Sequence, residues 1–428
     1  MIAAVELVER NLAGTRNVKA APLRAAPHVP ATPAAENHGI NTCVGSDDDG
    51  WCAPPPVTLS DGTRLQLFKD GEALLAAYDA IKGAQRVIFL EVYIFASDDT
   101  GWAFADLLCE KAKQGVRVFA IYDSFGSIDT DRKLFRKMRQ AGVRVQEFNP
   151  IRPWECNYSW RPLNRDHRKL LVIDRRIAGI GGLNIGAEYG GGWVVRRKSR
   201  RCEAWRDNGV GIVGPGAAMF AESFIRTWRF ITHGGRIRRA EYSAHLEDAD
   251  LGLLASVPTL NSPLRPSLCR LMRGARKSID MTMAYFAPDD ELVEELCRAA
   301  RRGMRVRLML PGRCDVPLVS IAARSFYETL MSCGIEVYER QGVVLHAKTM
   351  VLDGNVTLMG STNLDYRSIE FNCEISAIIR SPQFGAQMRG VFEHDIHFAK
   401  KIDLPEWRRR PTWDRFVQWA VSRARYLL

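Results

Sequence analysis

The chain has 428 residues, with 60 Lys and Arg against 49 Asp and Glu, which gives a formal net charge of +11 at pH 7. Its 46% hydrophobic and 25% charged residues are ordinary for a globular protein and exclude a chain that is disordered throughout. The excess of positive charge indicates an anionic partner, either nucleic acid or acidic lipid, and composition does not choose between them.

Ten cysteines are scattered singly along the chain, without CxxC pairs or the spacing of metal ligands. This pattern favours a reducing compartment and argues against a disulfide framework or a zinc site. No apolar run approaches the roughly 18 residues that cross a bilayer. The N-terminal stretch MIAAVELVERNLAG is interrupted by charges and makes a poor signal peptide. We therefore predict a cytoplasmic protein, unless it is anchored from the membrane surface.

Residues 1–56 are rich in Ala and Pro and show neither strand nor helix periodicity, which predicts a disordered leader. The sequence then becomes globular and contains an internal repeat. The matching pairs are VYIFASDD (92–99) with AYFAPDD (284–290), LCEKAKQGVRV (108–118) with LCRAARRGMRV (296–306), and AGVRVQEF (141–148) with CGIEVYER (333–340).

Each copy of the repeat alternates short apolar strands with amphipathic helices that end at a glycine. Strands that alternate with helices are typical of α/β proteins, in which helices cover the faces of a sheet. We therefore predict two α/β halves, residues 57–240 and 241–406, related by a pseudo-two-fold axis. Their sheets are expected to be mixed and mostly parallel, with helices on both faces.

One polar motif recurs at matching places in the two halves. It reads HxKxxxxD, followed after six residues by GxxN. Its residues are His167, Lys169, Asp174 and Asn184 in the first half, and His346, Lys348, Asp353 and Asn363 in the second. Because three of the rarer polar residue types recur at one fixed spacing, coincidence is a weak explanation.

The spacing of this motif has a structural meaning. Side chains of a strand alternate between its faces, so the His and the Lys project from the same face. The apolar residues after each Lys are typical of a strand buried on both sides. The Asp then marks a turn into a second apolar strand, which leads back to the Asn. A pseudo-two-fold axis can bring both sets into one pocket of two imidazoles, two ammonium groups and two carboxamides.

Such a pocket suits a phosphodiester better than a metal ion, because a protonated lysine cannot coordinate a metal. Lys169, Lys348, Asn184 and Asn363 are predicted to bind the phosphate oxygens and the charge that develops in the transition state. One neutral histidine can attack phosphorus, while the other, protonated, donates a proton to the leaving oxygen.

Two carboxylates occupy equivalent positions, each eight residues before a proline. They are Asp207 in DNGVGIVGP and Glu374 in EISAIIRSP. A carboxylate beside an imidazole fixes its tautomer and stabilises its protonated form, and we predict that role here. The alternative is that both are ordinary carboxylates at strand ends.

At these residues the sequence resembles the phospholipase D superfamily, whose hallmark is two HxKxxxxD motifs in one active site. Within it, the chain is most similar to bacterial cardiolipin synthases, in the branch without N-terminal transmembrane helices. The resemblance extends from about residue 60 to the C-terminus. The segments that carry it are FLEVYIFASDDTG, HRKLLVIDRRIAGIGGLNIGAEY, PGRCDVPLV, ARSFYETL, LHAKTMVLDGNVTLMGSTNLDYRS and EFNCE.

The resemblance implies a two-step transfer without an obligatory metal, and no cofactor is expected. A phosphatidyl group passes from phosphatidylglycerol, or a similar phospholipid, to one histidine. The phosphohistidine then gives it to the headgroup hydroxyl of another phosphatidylglycerol. His167 is assigned as the nucleophile and His346 as the general acid and then base. The reverse assignment stays open because the halves are nearly symmetric.

Other motif residues have different expected roles. Asp174 and Asp353 belong to the catalytic motifs and are expected to act structurally or behind the residues that touch substrate. Ser361 is expected to donate a hydrogen bond to the phosphate. Its counterpart in the first half is Gly182, which has no side chain, so a serine-dependent role is expected in the second half only.

Two basic segments could meet a lipid surface. Residues 407–428 combine Arg residues with apolar residues at helical spacing, namely Trp413, Phe416, Val417, Ala420, Val421, Ala424, Leu427 and Leu428. This pattern is typical of a helix in a membrane interface, and the alternative is a terminal helix docked on the protein's own core. The basic run at 196–201, flanked by Trp193 and Trp205, could contact headgroups at the pocket mouth or form a solvated loop.

Together these features predict a cardiolipin synthase-like phosphatidyl transferase, bound peripherally to the cytoplasmic face of the cell membrane. The expected partners are anionic phospholipids, phosphatidylglycerol and cardiolipin, and nucleic acid is not expected. The alternative is a phospholipase D-type hydrolase, or a nuclease or other phosphodiesterase, on the same scaffold. A non-catalytic binding protein is disfavoured because both motifs are intact.

Overall fold

The computed structural model describes residues 51–156, 161–190, 205–233, 249–257 and 262–423. Most of the predicted leader and the basic run at 196–201 therefore lie outside the described residues, as does the end of the predicted terminal helix, residues 424–428. Two large sheets are present, one in each predicted half.

The first half is built around an eight-stranded sheet. Its strands are β1 (Val57–Thr58), β2 (Arg64–Lys69), β3 (Val87–Val92), β4 (Arg117–Asp123), β5 (Arg144–Phe148), β7 (Leu170–Ile173), β8 (Ile177–Gly181) and β9 (Asn208–Val213), with the short β6 (Arg165–Asp166) outside the sheet. Its helices are α1 (Glu72–Lys82), α2 (Asp99–Lys113), α3 (Arg132–Gln140), α4 (Ala187–Gly190) and α5 (Ala217–Thr232).

The second half repeats this plan. Its strands are β10 (Leu251–Ser256), β11 (Ser278–Met283), β12 (Phe286–Ala287), β13 (Arg305–Arg313), β14 (Glu336–Val344), β15 (Lys348–Leu352), β16 (Val356–Gly360), β17 (Leu364–Asp365), β18 (Asn372–Arg380) and β19 (Ala399–Lys401). Its helices are α6 (Leu264–Gly274), α7 (Asp290–Arg301), α8 (Pro317–Ser325), α9 (Tyr327–Ser332), α10 (Tyr366–Glu370), α11 (Pro382–His397), α12 (Leu404–Arg408) and α13 (Thr412–Arg423).

The two sheets share one strand order, which confirms the duplicated α/β architecture. The order is β2-β9-β8-β7-β3-β4-β5 in the first half and β10-β18-β16-β15-β11-β13-β14 in the second. The sheets are mixed, as predicted, but the expectation of mostly parallel pairing is wrong. Along these two paths the parallel pairs are confined to β3–β4–β5 and β11–β13–β14. The motif strands β7–β8 and β15–β16 form hairpins, whose tight turns require antiparallel pairing.

Helices cover both faces of the first sheet. Strand β3 is buried along its whole length, and successive side chains point to opposite faces. Phe89 stacks on Phe224 of α5 at 4.7 Å, whereas Leu90 belongs to the core beneath α1, α2 and α3. This double coverage explains why β3 is apolar except at Glu91.

The halves meet next to the two motif histidines. Strand β6 pairs in parallel with β18 of the other half, with Arg165 opposite Asn372. A second parallel bridge joins Arg206 to Leu345. Since His167 follows the first link and His346 follows the second, the contact between the halves positions the backbone of the candidate site.

The terminal helix α13 has one side on the protein and one side exposed. It packs on α8, and Gln418 is buried. Trp413, Phe416 and Trp419 are exposed, Trp413 to 69%. The helix therefore docks on the protein and still presents three aromatic side chains to solvent. None of the helices within the described ranges has the length and apolar character needed to cross a bilayer.

Candidate active site

The two motif histidines are buried at the junction of the halves, each just before a central strand. The amide of His167 donates to the carbonyl oxygen of Cys373 at 3.0 Å. The amide of His346 donates to the carbonyl oxygen of Arg206 at 2.8 Å. The backbone of each histidine is thus held by the opposite half.

The predicted carboxylates pair with these histidines across the same junction. Nδ1 of His167 lies 3.1 Å from Oε1 and 3.3 Å from Oε2 of Glu374. Nδ1 of His346 lies 2.8 Å from Oδ2 of Asp207. The pairing is crossed, because each half supplies the carboxylate that contacts the imidazole of the other half. Among the residues that the structure describes, neither motif histidine pairs with a carboxylate of its own half.

The motif lysines lie beside the histidines, and all four side chains are buried. Nζ of Lys169 donates to the carbonyl oxygen of His167 at 2.7 Å and lies over the ring of Tyr93. Nζ of Lys348 donates to the carbonyl oxygen of His346 and lies 3.0 Å from Nδ1 of the same imidazole. The pocket therefore concentrates positive charge around two imidazoles.

Burial and the lysine charges lower the pKa of both imidazoles. Burial, together with Lys169, lowers the pKa of His167 to about 4. Burial, together with Lys348 and Lys169, lowers the pKa of His346 well below its usual value. Burial likewise lowers the pKa of Lys169 to about 7 and that of Lys348 to about 8. Because charges of one half act on groups of the other, the two motifs share one electrostatic environment.

The two carboxylates that contact the histidines differ in pKa. Burial acts to raise the pKa of Glu374, but His167 and Lys169 outweigh it and lower that pKa. Burial raises the pKa of Asp207 to about 6. An ionised Glu374 favours a proton on Nδ1 of His167, which leaves the lone pair on Nε2.

The motif asparagines are buried in different surroundings. Oδ1 of Asn184 accepts from the amide of Ile94 at 3.1 Å, and Nδ2 donates to the hydroxyl of Tyr189 at 2.8 Å. Oδ1 of Asn363 is buried without a hydrogen-bond partner in the described part of the chain. This oxygen retains the capacity to accept a hydrogen bond, and leaving it unpaired in the interior costs free energy.

Ser361, the expected phosphate ligand, contacts an orienting carboxylate. Its hydroxyl donates to Oε2 of Glu374 and accepts from the amide of Ile375 at 3.0 Å. Its counterpart Gly182 packs against the other carboxylate, since an added Cβ would lie 2.4 Å from both oxygens of Asp207. The asymmetry between the halves therefore concerns how each carboxylate is held, by a hydroxyl in one case and by close packing in the other.

The motif aspartates lie at the far ends of β7 and β15, away from the histidines. Asp174 accepts from the amides of Gln85, Arg86 and Val87, and Asp353 from those of Arg276, Lys277 and Ser278. Partial burial acts to raise the pKa of both aspartates, but these hydrogen bonds lower it. Both aspartates hold the start of a neighbouring central strand, β3 or β11, which supports a structural role, and these contacts lie away from the histidines.

Sequence reasoning missed the aromatic side chains that pack on the histidines. Tyr93 lies edge-on to His167, with ring centroids 5.0 Å apart. Tyr285 lies 6.3 Å from His346. The two tyrosines hold equivalent positions in the repeated segments VYIFASDD and AYFAPDD, and that equivalence is the signal that could have revealed them.

Trp205, which follows the basic run at 196–201, belongs to the wall of the site. Its ring packs on His346 at 5.1 Å and on Tyr189 at 4.8 Å. The basic run itself lies outside the described residues. Its predicted contact with lipid headgroups stays a prediction.

Comparison with known protein families decides the relationship of the chain. A family model described as "Cardiolipin synthase, PLD-like domain" matches residues 78–189 and 268–396, one match in each half. The chain belongs to this cardiolipin synthase family. The resemblance inferred from the two HxKxxxxD motifs is confirmed, and so is the prediction of an enzyme of the phospholipase D superfamily.

Curated relatives agree with membership of the cardiolipin synthase family. A cardiolipin synthase of Geobacillus thermodenitrificans (strain NG80-2) is 33% identical over 376 residues, which cover 86% of this chain and 72% of that protein. A probable cardiolipin synthase of Bacillus subtilis (strain 168) is 29% identical over 364 residues, which cover 84% and 71%.

Solved structures show the same fold. A phosphatidylserine synthase of Haemophilus influenzae Rd KW20 matches with a TM-score of 0.67 at 14% identity, covering 87% of this chain and 97% of that one. A polyphosphate kinase from Porphyromonas gingivalis matches with a TM-score of 0.56 at 15% identity, covering 87% and 56%. At these identities the likeness concerns the architecture of the cardiolipin synthase family and not its chemistry.

Proposed function

We propose that the protein transfers a phosphatidyl group from phosphatidylglycerol, or a similar phospholipid, to the headgroup hydroxyl of a second phosphatidylglycerol. With phosphatidylglycerol as donor, the products are cardiolipin and glycerol. One observation carries the proposal, namely the two crossed histidine–carboxylate pairs around two buried lysines. Family membership supports the class of substrate, a phospholipid.

In the first step, Nε2 of His167 attacks the donor phosphorus while Glu374 holds the proton on Nδ1. The phosphorus–nitrogen bond forms as the bond to the leaving glycerol oxygen breaks, and protonated His346 gives that oxygen a proton. The anionic phosphate offsets the charges of Lys169 and Lys348. This raises the low pKa of His346, so substrate binding loads the proton that the step requires.

In the second step, His346 is neutral and takes the proton of the acceptor hydroxyl. The acceptor oxygen attacks phosphorus, the bond to His167 breaks, and His346 ends the cycle protonated. The ammonium groups of Lys169 and Lys348 and the side-chain N–H groups of Asn363 donate to the non-bridging oxygens and stabilise their negative charge in both steps. Ser361 acts on Glu374 and not on phosphate, in accordance with its hydrogen bond.

One asymmetry supports His167 as the nucleophile. Its Nδ1 faces both oxygens of Glu374. Nδ1 of His346 lies between Oδ2 of Asp207 and Nζ of Lys348. The surroundings of His167 therefore define one tautomer, with its lone pair on Nε2, whereas those of His346 suit a group that gains and loses a proton.

The direct test incubates the purified protein with phosphatidylglycerol vesicles and identifies the products by mass spectrometry. We expect cardiolipin and glycerol in equal amounts. Phosphatidic acid in place of cardiolipin would make the protein a hydrolase, and cleavage of an oligonucleotide with intact lipid would make it a nuclease. The His167→Ala, His346→Ala double variant is the control for contaminating activity.

The lysines predict a pH dependence of substrate binding. Because the pKa values of Lys169 and Lys348 in the free protein are about 7 and about 8, their ammonium groups are lost as the pH rises. We expect the KM for the phospholipid donor to increase between about pH 7 and about pH 9, with a smaller change in kcat because bound phosphate stabilises the ammonium form. Initial rates with a soluble short-chain donor measure both constants, and a flat KM would contradict the role of the lysines.

Exposed apolar side chains next to the site support a membrane surface location. The loop patch consists of Phe125, Ile128, Ile151, Trp154 and Leu163, which are all exposed. Its two loops follow β4 and β5 and are joined by the bond from the amide of Ile151 to Oγ of Ser124 at 3.0 Å. They adjoin the site because Asp123, at the end of β4, accepts from the amide of Asp166, beside His167. We infer that this patch and the aromatic side of α13 enter the bilayer interface.

The loop patch makes a direct prediction for vesicle binding. Trp154→Ser is expected to weaken partition onto anionic vesicles about tenfold, because Trp154 is 79% exposed in the free protein and would be buried in lipid. Phe398→Ser is the matched control, since Phe398 is exposed and lies outside both the loop patch and α13. Sedimentation with vesicles measures both. If Trp413→Ser weakens vesicle binding and Trp154→Ser does not, the membrane contact is made by α13 alone.

A further inference from the structure

An apolar groove lies between helix α1 and strands β7, β8 and β9 of the first half. Its volume is about 200 Å³. Small residues create it, since Ala73, Ala77 and Ala80 line the helix side and Gly179 and Gly211 the sheet side. A Cβ added at Gly179 would meet no atom within 4 Å among the described residues. Protein interiors contain few voids larger than a water molecule, and this space exceeds that size.

The inner end of the groove reaches the candidate active site. Lys169 and Leu183 line this end of the groove. Nζ of Lys169 donates a hydrogen bond to the carbonyl oxygen of His167, and Leu183 directly precedes Asn184. Both lining residues therefore adjoin groups of the candidate site. Leu171 lies opposite Gly179 in the β7–β8 strand pair. Because side chains two residues apart project from the same face of a strand, Lys169 lies on the same face as Leu171 and extends the floor of the groove. The lysine that is proposed to hold phosphate therefore stands where the groove ends.

The groove then runs along the strands away from the site. It extends past Gly181 and Gly179 to Ile177, which is four residue steps of β8, or about 13 Å. Its lining is almost wholly apolar, with Gln66, Glu91 and Lys169 as the polar members. Apolar cavities stay dry and accept apolar ligands. An occupant that fits is elongated and apolar, with an anionic group at the Lys169 end.

We propose that the groove binds one acyl chain of the phosphatidyl donor, whose phosphate then lies beside Lys169 and His167. This inference rests on the proposed function, because it assumes a phospholipid donor. The groove belongs to the half that contains the proposed nucleophile, so the same chain stays bound while the phosphatidyl group is attached to His167. Anchoring the covalent intermediate in this way keeps it in place until the acceptor arrives.

The test fills the groove without touching the reacting groups. Gly179→Leu fills it from the sheet and Ala77→Leu from the helix, so one variant remains if the other folds poorly. Gly390→Leu is the matched control, because Gly390 is an exposed position in α11 with open space around it. Transfer is measured with a dioleoyl and with a dihexanoyl donor, and binding of the fluorescent fatty acid cis-parinaric acid is titrated separately.

In both filled variants we expect kcat/KM for the dioleoyl donor to fall at least about tenfold, while that for the dihexanoyl donor stays within about twofold. Binding of cis-parinaric acid is expected to be lost in the same variants and kept in Gly390→Leu. Equal losses with both donors, or no loss with either, would overturn the acyl site. If the wild-type protein binds the fatty acid but transfers neither donor, the proposed function fails and the binding site stands.

Discussion

Replacing His167 with alanine is expected to abolish phosphatidyl transfer and the covalent intermediate together, with turnover reduced about 10⁴-fold or more. Replacing His346 with alanine should slow the complete reaction comparably, because that imidazole moves the proton in both steps. A donor with an acidic leaving group separates these roles. Phosphatidyl p-nitrophenol needs no proton on its leaving oxygen, so His346→Ala should release one equivalent of nitrophenolate in a burst and then stop at phosphatidyl-His167.

The burst is followed by stopped-flow absorbance, and mass spectrometry locates the modified histidine. His167→Ala should show no burst, and His397→Ala, which changes an exposed histidine of α11, should behave as the wild type. A burst in His167→Ala with the label on His346 would reverse the assignment of the two histidines. Substantial turnover of phosphatidylglycerol by both variants would reject the shared pocket itself.

The crossed pairing of carboxylates and histidines predicts a second large loss of turnover. Glu374→Gln is expected to lower turnover about 10³- to 10⁴-fold, because an amide can present an N–H to Nδ1 of His167 and stabilise the wrong tautomer. Its burst with the nitrophenyl donor should be slowed as well, since attack by His167 depends on the lone pair at Nε2. Asp207→Asn should slow turnover but leave the burst almost intact, because Asp207 contacts His346 and not His167.

These variants also test the crossing of the halves. Glu374 belongs to the second half and His167 to the first. If Glu374→Gln slows the burst, attack by His167 depends on a carboxylate of the other half. Glu295→Gln is the control, because Glu295 is a buried carboxylate of α7 that pairs with Arg273 and Arg298. Near-normal turnover in Glu374→Gln, or a slowed burst in Asp207→Asn alone, would contradict the observed pairing. The pH profile of kcat/KM adds a readout that a loss of stability would not change.

The buried charges of this site have a thermodynamic consequence. Two lysines and two imidazoles share a pocket from which water is largely excluded, and burial lowers the pKa of all four. Bringing a monoanionic phosphodiester into such a pocket relieves the repulsion between ammonium groups. The free site is electrostatically unfavourable, and substrate binding removes part of this repulsion. Relief of the repulsion therefore contributes to the free energy of substrate binding.

Much of the fold could be predicted because the relevant patterns are local. The apolar runs after Lys169 and Lys348 are strands β7 and β15, and the following Asp in each copy adopts a positive φ in the hairpin turn. The repeat also predicted two equivalent sheets. The proportion of parallel pairs was predicted wrongly, because alternation of strands and helices does not reveal which strands are joined by hairpins.

The sequence by itself determined the family, through two histidines and two lysines at a spacing that recurs in each half, and it predicted these groups as the reacting ones. Only the tertiary structure decided which partner each group has. His167 and Glu374 are 207 residues apart, and His346 and Asp207 are 139 apart. No periodicity of strand or helix encodes such a contact, because it arises from how two finished sheets dock. The loop patch, the packing of Gly182 on Asp207 and the groove beneath α1 depend on the same long-range packing.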